Sequence, residues 1–156
     1  MTEVQEKEVK ELILSEQKIP EKRDLEKEFL EMLKTISPGT SIRSALDDLL
    51  NAYMGALIVF ENEATKSVME RGFKINAKFS PQRLVELGKM DGAIILSNDG
   101  KKILYANTLL FPSVEISTKE TGTRHKAAER TAKQTHSLVI AVSERKHKIT
   151  VYWGEM

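Results

Sequence analysis

The feature that most constrains the fold is a continuous apolar run, Gly55-Ala-Leu-Ile-Val-Phe60, that follows a segment of helical periodicity. A short apolar run rich in strand-forming residues is typical of a strand covered on both faces of a sheet. Thr40 or Ser41 can cap the preceding helix. The apolar side of that helix consists of Ile42, Leu46, Leu49, Leu50 and Tyr53. A helix that leads into a central strand predicts an α/β fold.

The rest of the chain adds strands and helices to this pattern. Asn98-Asp99-Gly100 separates two alternating segments, residues 93–97 and 101–107, and Asp-Gly at this position indicates an antiparallel hairpin. The other predicted elements are a short strand over Ser67 to Phe73, a helix from Ser80-Pro81, a helix over residues 123–136, and strands over residues 138–143 and 148–153. We therefore expect a single domain with a mixed parallel and antiparallel central sheet flanked by helices.

The composition of the chain narrows its class. With 156 residues, 40% hydrophobic and 30% charged, it suits one globular domain with one core. No apolar run approaches the roughly 20 residues that cross a bilayer, and no secretory signal is visible, so we expect a cytoplasmic protein without a membrane partner. The absence of cysteine excludes disulfides and thiolate metal sites. A net charge of +1 means that nucleic-acid binding would need a local patch.

The first 36 residues differ in character from the rest. They are dense in charge and contain no glycine, and Pro20 separates two predicted helices. The second helix has an apolar stripe that consists of Leu25, Phe29, Leu33 and Ile36. Because Ser37-Pro38-Gly39 breaks the pattern, we expect an N-terminal helical extension over residues 1–36 and the main domain over residues 37–156. A solvated appendage is an equal alternative for residues 1–18.

The first candidate site is Gly122-Thr123-Arg124-His125-Lys126, where the helix over residues 123–136 is predicted to begin. Basic side chains at a helix N-terminus are unfavourable by roughly 0.3 to 1 kcal/mol each, because the helix dipole is positive there. A bound polyanion reverses that sign, and a preceding glycine lets phosphate approach the backbone. The segment therefore predicts a phosphate site, with a solvated basic helix end as the alternative.

Two further motifs contain polar groups suited to phosphate chemistry. Asp91-Gly92-Ala93 lies between a predicted helix and a strand, where the carboxylate can meet a ligand, although an ordinary turn aspartate is the simpler interpretation. Ser143-Glu144-Arg145-Lys146 follows the carboxyl end of a strand, the usual ligand position in α/β sheets. Its hydroxyl and cations can hold phosphate oxygens, and a charged hairpin turn is the alternative.

The three motifs, in this order, resemble those of the diadenylate cyclase family. The resemblance covers about Pro38 to Tyr152, and within the family the chain looks most like the DNA integrity scanning type. It includes the stretches Phe79-Ser-Pro-Gln, Lys89-Met-Asp-Gly-Ala-Ile-Ile-Leu-Ser97, Ile103-Leu-Tyr-Ala-Asn107 and Ala132-Lys-Gln-Thr135. The resemblance implies the family's fold and an enzyme that joins two ATP molecules into cyclic di-AMP, releases two pyrophosphates and uses Mg²⁺ or Mn²⁺.

The resemblance also implies roles for individual residues. Asp91 would assist the attacking ribose 3′-hydroxyl and contact the metal, while Arg124 and His125 would be catalytic residues that bind phosphate, with His125 also at the metal. The other residues assigned to ATP binding are Gly92, Ala93, Leu109, Gly122, Thr123, Lys126, Ser143, Arg145 and Lys146. Because one site holds one ATP and the reaction needs two, we expect a homo-oligomer with at least two chains face to face.

The chain departs from the family pattern at several points. Lys126 stands where arginine is usual, which keeps the charge but loses bidentate binding of phosphate, and Ala127 stands where threonine is common. Relatives of the scanning type continue into a helical spine and a DNA-binding domain, whereas this chain stops at Met156. We therefore expect DNA contacts only through a domain absent from this chain. A nucleotide-binding or oligomerising module without turnover is the alternative function.

Overall fold

The computed structural model describes residues 2, 3, 5, 6 and 22–154 and divides the chain into two compact units, Met1–Met32 and Leu33–Met156. The predicted helix over residues 1–18 lies mostly outside the described residues. The second predicted helix is α1, Lys22–Thr35, which ends just before the expected break at Ser37-Pro38-Gly39. The proposed boundary between an extension and a catalytic domain stays a prediction.

The second unit alternates helices and strands. Its elements are α2 (Ser41–Asn51), β1 (Ala56–Phe60), a 3-10 turn (Thr65–Val68), β2 (Met69–Glu70), β3 (Phe73–Lys78), α3 (Pro81–Leu87), β4 (Ala93–Leu96), β5 (Lys102–Leu110), α4 (Thr123–Thr135), β6 (Leu138–Ser143) and β7 (Lys148–Trp153). Local signals fix several boundaries: Thr40 caps α2, Ser80 caps α3 with Pro81 in its first turn, and Gly88 ends α3.

The strands form one seven-stranded sheet with β1 near its centre. The order is β2-β5-β4-β1-β6-β7, and β3 also pairs with β5. β1 is parallel to β4, with Ile58 opposite Ile94, and antiparallel to β6, with Ala56 opposite Val142. β4 and β5 are antiparallel, as the Asp-Gly hairpin signal predicts. The predicted mixed α/β fold is therefore confirmed.

The core lies on both faces of the central strand. All five residues of β1 are buried. Leu57 and Val59 share a buried cluster with Ala128 and Ala132 of α4, so small residues on α4 bring that helix close to the sheet. Since successive strand residues point to opposite faces, Ile58, which is fully buried, packs on the other side.

Two predictions at the residue level are wrong. Tyr53 does not extend the apolar stripe of α2: that helix ends at Asn51, and Tyr53 is 70% exposed with φ of 53°. The predicted strand from Ser67 to Phe73 is instead a 3-10 turn followed by the two-residue β2.

Sequence periodicity also fails to reveal β3. Asn76 has φ of 47°, and the register with β5 shifts between Lys74 and Ala77. This irregularity and the exposure of most side chains in β3 hide the alternation that predicts a strand. Among the described residues, we find no helix with the length and apolar character needed to cross a membrane.

Candidate active site

A cleft of about 770 Å³ lies at one end of the sheet. Its walls come from the start of β1 and β4, the end of β5, the start of α4 and the residue after β6. The cleft thus lies at the amino ends of the parallel pair β1 and β4, opposite to the carboxyl ends where ligands of α/β sheets usually bind. Its volume falls within the roughly 300–1,000 Å³ typical of small-molecule sites.

Asp91 is exposed on the wall between α3 and β4. The next residue, Gly92, has φ of 85°, and a Cβ built there would lie 3.0 Å from the carbonyl oxygen of Thr108. A side chain at this position would be strained by its backbone conformation and by the neighbouring strand. Because residue 92 is glycine, the turn packs closely against β5, and in this position Asp91, the residue before it, lines the cleft.

The first turn of α4 has the character that the charge pattern predicts. Gly122 is the N-cap, has φ of 87° and provides no side-chain cap, and the first turn contains no acidic residue. The first N–H groups of a helix have no partner within that helix. Together with the dipole, these groups and the cationic side chains favour an anion at this end of α4.

Arg124 extends from this turn into the cleft. Its Nη1 donates a hydrogen bond to the carbonyl oxygen of Val142, at 3.3 Å, near the end of β6. A guanidinium has five N–H groups, so this single bond fixes the side chain while other donors remain for a phosphate.

His125 is half-buried beside the same turn and does not line the cleft. Burial lowers the pKa of its imidazole, and the charges of Arg124, Lys146 and Lys148 lower it further, although the carboxylate of Glu120 opposes them. A lowered pKa keeps the imidazole neutral at pH 7. In that form one ring nitrogen can accept a hydrogen bond or bind a metal.

The hairpin between β6 and β7 contributes to the cleft a residue that the sequence does not predict there. The buried Ser143 accepts a hydrogen bond from the backbone N–H of Lys146, at 3.1 Å, which closes the turn. Arg145 and Lys146 are exposed, whereas Glu144 lines the cleft. A carboxylate does not favour phosphate, so the motif by itself predicts only a role for its hydroxyl and its cations.

The structure thus brings together about half of the predicted site residues. Those that line the cleft are Asp91, Gly92, Ala93, Leu109, Thr123 and Arg124. Those outside its lining are Gly122, His125, Lys126, Ser143, Arg145 and Lys146. Besides Glu144, the lining residues without a sequence signal include Tyr53, Met54 and Gly55, which connect α2 to β1. Their position follows from chain topology, which no local motif reports.

The cleft suits a metal ion that is shared with a substrate. Within residues 22–154 and the few described residues before them, no three His, Cys, Asp or Glu side chains are grouped to hold a metal by themselves. Asp91 and Glu144 nevertheless place two carboxylates on the cleft wall. Mg²⁺ typically binds one or two carboxylates together with substrate phosphates and water, so this donor set fits Mg²⁺ when ATP is also bound.

Comparison with known proteins decides the family. The family model described as "DisA bacterial checkpoint controller nucleotide-binding" (DAC) matches residues 43–156. The chain belongs to the diadenylate cyclase family. In this family, it is similar to the DNA integrity scanning protein DisA of Acetivibrio thermocellus, with 52% identity over 133 residues, 85% of this chain and 37% of that protein.

Other relatives agree with this family assignment. DisA of Bacillus subtilis is 54% identical over 126 residues, 80% of this chain and 35% of the relative, so the chain spans little more than a third of the length of these relatives. The crystal structure of DacA from Staphylococcus aureus matches with a TM-score of 0.60 at 31% identity, covering 74% of this chain and 81% of that chain. The predicted family resemblance and its fold are both confirmed.

Proposed function

We propose that this chain is the catalytic part of a diadenylate cyclase, which condenses two ATP molecules into cyclic di-AMP and releases two pyrophosphates. Family membership supports the reaction class. The observation that carries the proposal is that Asp91 and Arg124 line one cleft, because a carboxylate and a guanidinium serve the ribose hydroxyl and the phosphates of ATP respectively.

In the proposed reaction, the 3′-oxygen of each ATP attacks the α-phosphorus of the other, and each α-phosphorus loses its bond to pyrophosphate, so that two bonds form and two pyrophosphates leave. Asp91 accepts the hydroxyl proton, and Arg124 neutralises charge that develops on the phosphate. Phosphoryl transfer depends mainly on positioning and charge neutralisation, so these groups suffice without a protein nucleophile. We assign the first turn of α4 and the turn after Ser143 to the polyphosphate.

A divalent metal, Mg²⁺ or Mn²⁺, would neutralise phosphate charge when bound. We propose Asp91 and His125 as its protein ligands. The carboxylate of Glu144, which lines the same cleft as Asp91, supports a cation there, while His125 lies in the first turn of α4.

The proposed reaction requires two chains. One cleft holds one ATP, so the second ATP comes from a cleft that faces it, in a homo-oligomer of at least two chains. Tyr53 and Leu109 support this arrangement, because both line the cleft and are 70% and 59% exposed. Apolar side chains that are exposed together at a cleft are typical of surfaces that meet another molecule, whereas single exposed ones are common on any surface. The cytoplasmic location and the assignment of DNA contacts to sequence outside this chain stay predictions.

The test is to incubate the chain with ATP and Mn²⁺ and to measure cyclic di-AMP by mass spectrometry. Asp91→Asn is the matched control, since it keeps the shape of the side chain and removes its charge. We expect product from the wild type and a rate lower by about 10²- to 10⁴-fold from the variant. Equal rates would contradict the role of Asp91. Bound ATP without product from either protein would favour a nucleotide-binding module.

The facing arrangement has a separate test. The initial rate per chain should fall when the protein is diluted through the dissociation range of the oligomer. A rate per chain that is independent of concentration while ultracentrifugation shows monomers would rule out a site shared between chains.

A further inference from the structure

Gly55 lies directly before β1, on the wall of the cleft that faces α4. A Cβ built on Gly55 would lie 2.3 Å from Nη1 of Arg124 and 2.8 Å from both Cζ and Nη2. These are the three nearest heavy atoms, and real Cβ atoms essentially never come within 3.0 Å of another group. The guanidinium of Arg124 therefore occupies the space that a side chain at position 55 would take.

Strand pairing explains why the guanidinium lies there. Ala56 of β1 is opposite Val142 of β6, so Gly55 and Ser143 flank that pair at the end of the sheet. Arg124 crosses this end and donates its hydrogen bond to the carbonyl oxygen of Val142. The guanidinium thus lies between the backbone of Gly55, just before β1, and a backbone acceptor on the neighbouring strand β6.

We propose that Gly55 is a positioning residue, which acts through Arg124 by leaving the space in which the guanidinium is aimed at the substrate phosphates. This role rests on the proposed function, because it requires Arg124 to bind the polyphosphate of ATP. It differs from a structural role for Gly55. The backbone at Gly55 does not have the positive φ that favours glycine, and the three nearest atoms all belong to the end of a long, flexible side chain.

A substitution at Gly55 should therefore weaken ATP binding without preventing the protein from folding. In Gly55→Ala the added methyl group meets the guanidinium of Arg124 first, so we expect this flexible side chain to move away and the fold to be retained. The moved guanidinium loses the acceptor at Val142 and its alignment with the phosphate. Because the bidentate geometry of arginine is what distinguishes it from a simple positive charge, misalignment costs ATP affinity even though the charge remains.

The experiment is a double-mutant cycle with Gly55→Ala, Arg124→Ala and the combined variant. The probe is 3′-deoxy-ATP with Mg²⁺, which lacks the attacking hydroxyl and cannot be consumed, and its dissociation constant is measured by calorimetry. We expect Arg124→Ala to weaken binding by about 10- to 100-fold, as for other charge-assisted hydrogen bonds, and Gly55→Ala to weaken it comparably. The combined variant should bind as weakly as Arg124→Ala and no more weakly.

The outcomes separate the two hypotheses. Failure of the wild type to bind the probe would contradict the proposed function. Wild-type affinity in Gly55→Ala, or a further large loss when that change is added to Arg124→Ala, would overturn the positioning role. Melting temperatures provide a second measurement: if Gly55→Ala lowers the value, removal of the Arg124 side chain should restore it. A combined variant as unstable as Gly55→Ala would also overturn the role.

Discussion

The first turn of α4 and its later turns use charged residues in opposite ways. In the first turn, Arg124 and Lys126 form no salt bridge with any described residue. In the later turns, Glu129 pairs with Lys133 at 3.1 Å and accepts a hydrogen bond from the hydroxyl of Thr118. Arg130 donates from Nε to the carbonyl oxygen of Ile116 at 2.9 Å. The first turn of α4 therefore contains cations without a salt-bridge partner among the described residues, whereas the charged side chains of the later turns form salt bridges and hydrogen bonds, which we call the polar network.

The polar network attaches a segment without helix or strand, residues 112–122, which we call the strap. Lys133 donates to the carbonyl oxygen of Ser117 at 3.1 Å, and the side chain of Gln134 accepts from the backbone N–H of Ser113 at 2.7 Å. Near the end of the strap, Glu120 accepts a hydrogen bond from the hydroxyl of Tyr152 on β7, at 2.8 Å. The later turns thus stabilise the fold, whereas the first turn is where we propose that the polyphosphate binds.

The largest expected effect is the loss of activity when a cation in the first turn of α4 is removed, compared with the same change in its later turns. Arg124→Ala should lower cyclic di-AMP formation by about 10²- to 10³-fold, as for loss of one donor to developing charge, while the melting temperature stays within a degree or two. Lys133→Ala is the matched change in the later turns and should lower the melting temperature with little change in the rate. Thermal unfolding and initial rates measured on both variants check this. A large loss of stability in Arg124→Ala would break the distinction.

The second effect concerns the strap and its dependence on pH. Burial alone would raise the pKa of Glu129, but the hydrogen bonds from Thr118 and Lys133 and the charge of Lys133 outweigh it, so the pKa is lowered from 4.5. The ionised carboxylate of Glu129 therefore stabilises the folded state. This stabilisation is fully present above pH 4.5 and is lost as the pH falls through the lowered pKa of Glu129.

Glu129→Gln should therefore reduce the free energy of unfolding at pH 7 by about 1–3 kcal/mol, because a charged, mostly buried acceptor is lost. Below pH 4.5 the difference from the wild type should shrink. Urea unfolding at a series of pH values measures both. A difference that grows in acid would show that the sign of the pKa shift is wrong.

A smaller effect is expected at Tyr152. Burial raises the pKa of its hydroxyl, and the hydrogen bond to Glu120 and that residue's charge raise it further, so the group remains a protonated donor at neutral pH. Tyr152→Phe should lower the free energy of unfolding by about 1 kcal/mol, the usual value of one such bond. Denaturant titration of the two proteins measures this difference. An unchanged stability would show that the end of the strap is not held by Tyr152.

The smallest effect returns to the first turn. Lys126→Arg introduces the arginine that the family resemblance leads us to expect at this position, and its planar guanidinium adds hydrogen-bond donors. We expect ATP to bind a few-fold more tightly without a change in melting temperature, and calorimetry checks the affinity. Lys119→Arg on the exposed strap is the control and should change neither value. Equal affinity in the wild type and Lys126→Arg would indicate that Lys126 does not contact the polyphosphate.

Local signals predict most of the fold and part of the site. The apolar run of β1, the Asp-Gly hairpin and the capped starts of α2 and α3 depend on neighbouring residues only, and the structure confirms them. The charge conflict in the first turn of α4 is equally local. β3 is not predicted by the sequence, because its irregular backbone at Asn76 interrupts the alternation of apolar and polar residues that indicates a strand.

The remaining site features depend on topology. Glu144 and Gly55 reach the cleft because β6 lies antiparallel to β1, which brings the end of one strand to the start of the other. The carboxyl-end rule for α/β sheets supported the motif at Ser143 but does not describe this cleft, which lies at the amino ends of the parallel strands. The pairing of β1 with β6 cannot be predicted from local residue patterns, because these two strands lie far apart in the sequence.

The strap has a consequence for how the sequence can change in length. It follows β5, whose Leu109 and Leu110 form one wall of the cleft, and it leads into Thr123 and Arg124 on another. Surface loops without regular structure usually accept insertions. In this protein both ends of the strap lead directly to residues that line the cleft, and its middle is hydrogen-bonded to α4. An inserted residue would therefore shift one of the two cleft walls or break these bonds. The strap is therefore expected to tolerate substitution at its exposed positions, such as Val114, far better than a change in the number of its residues.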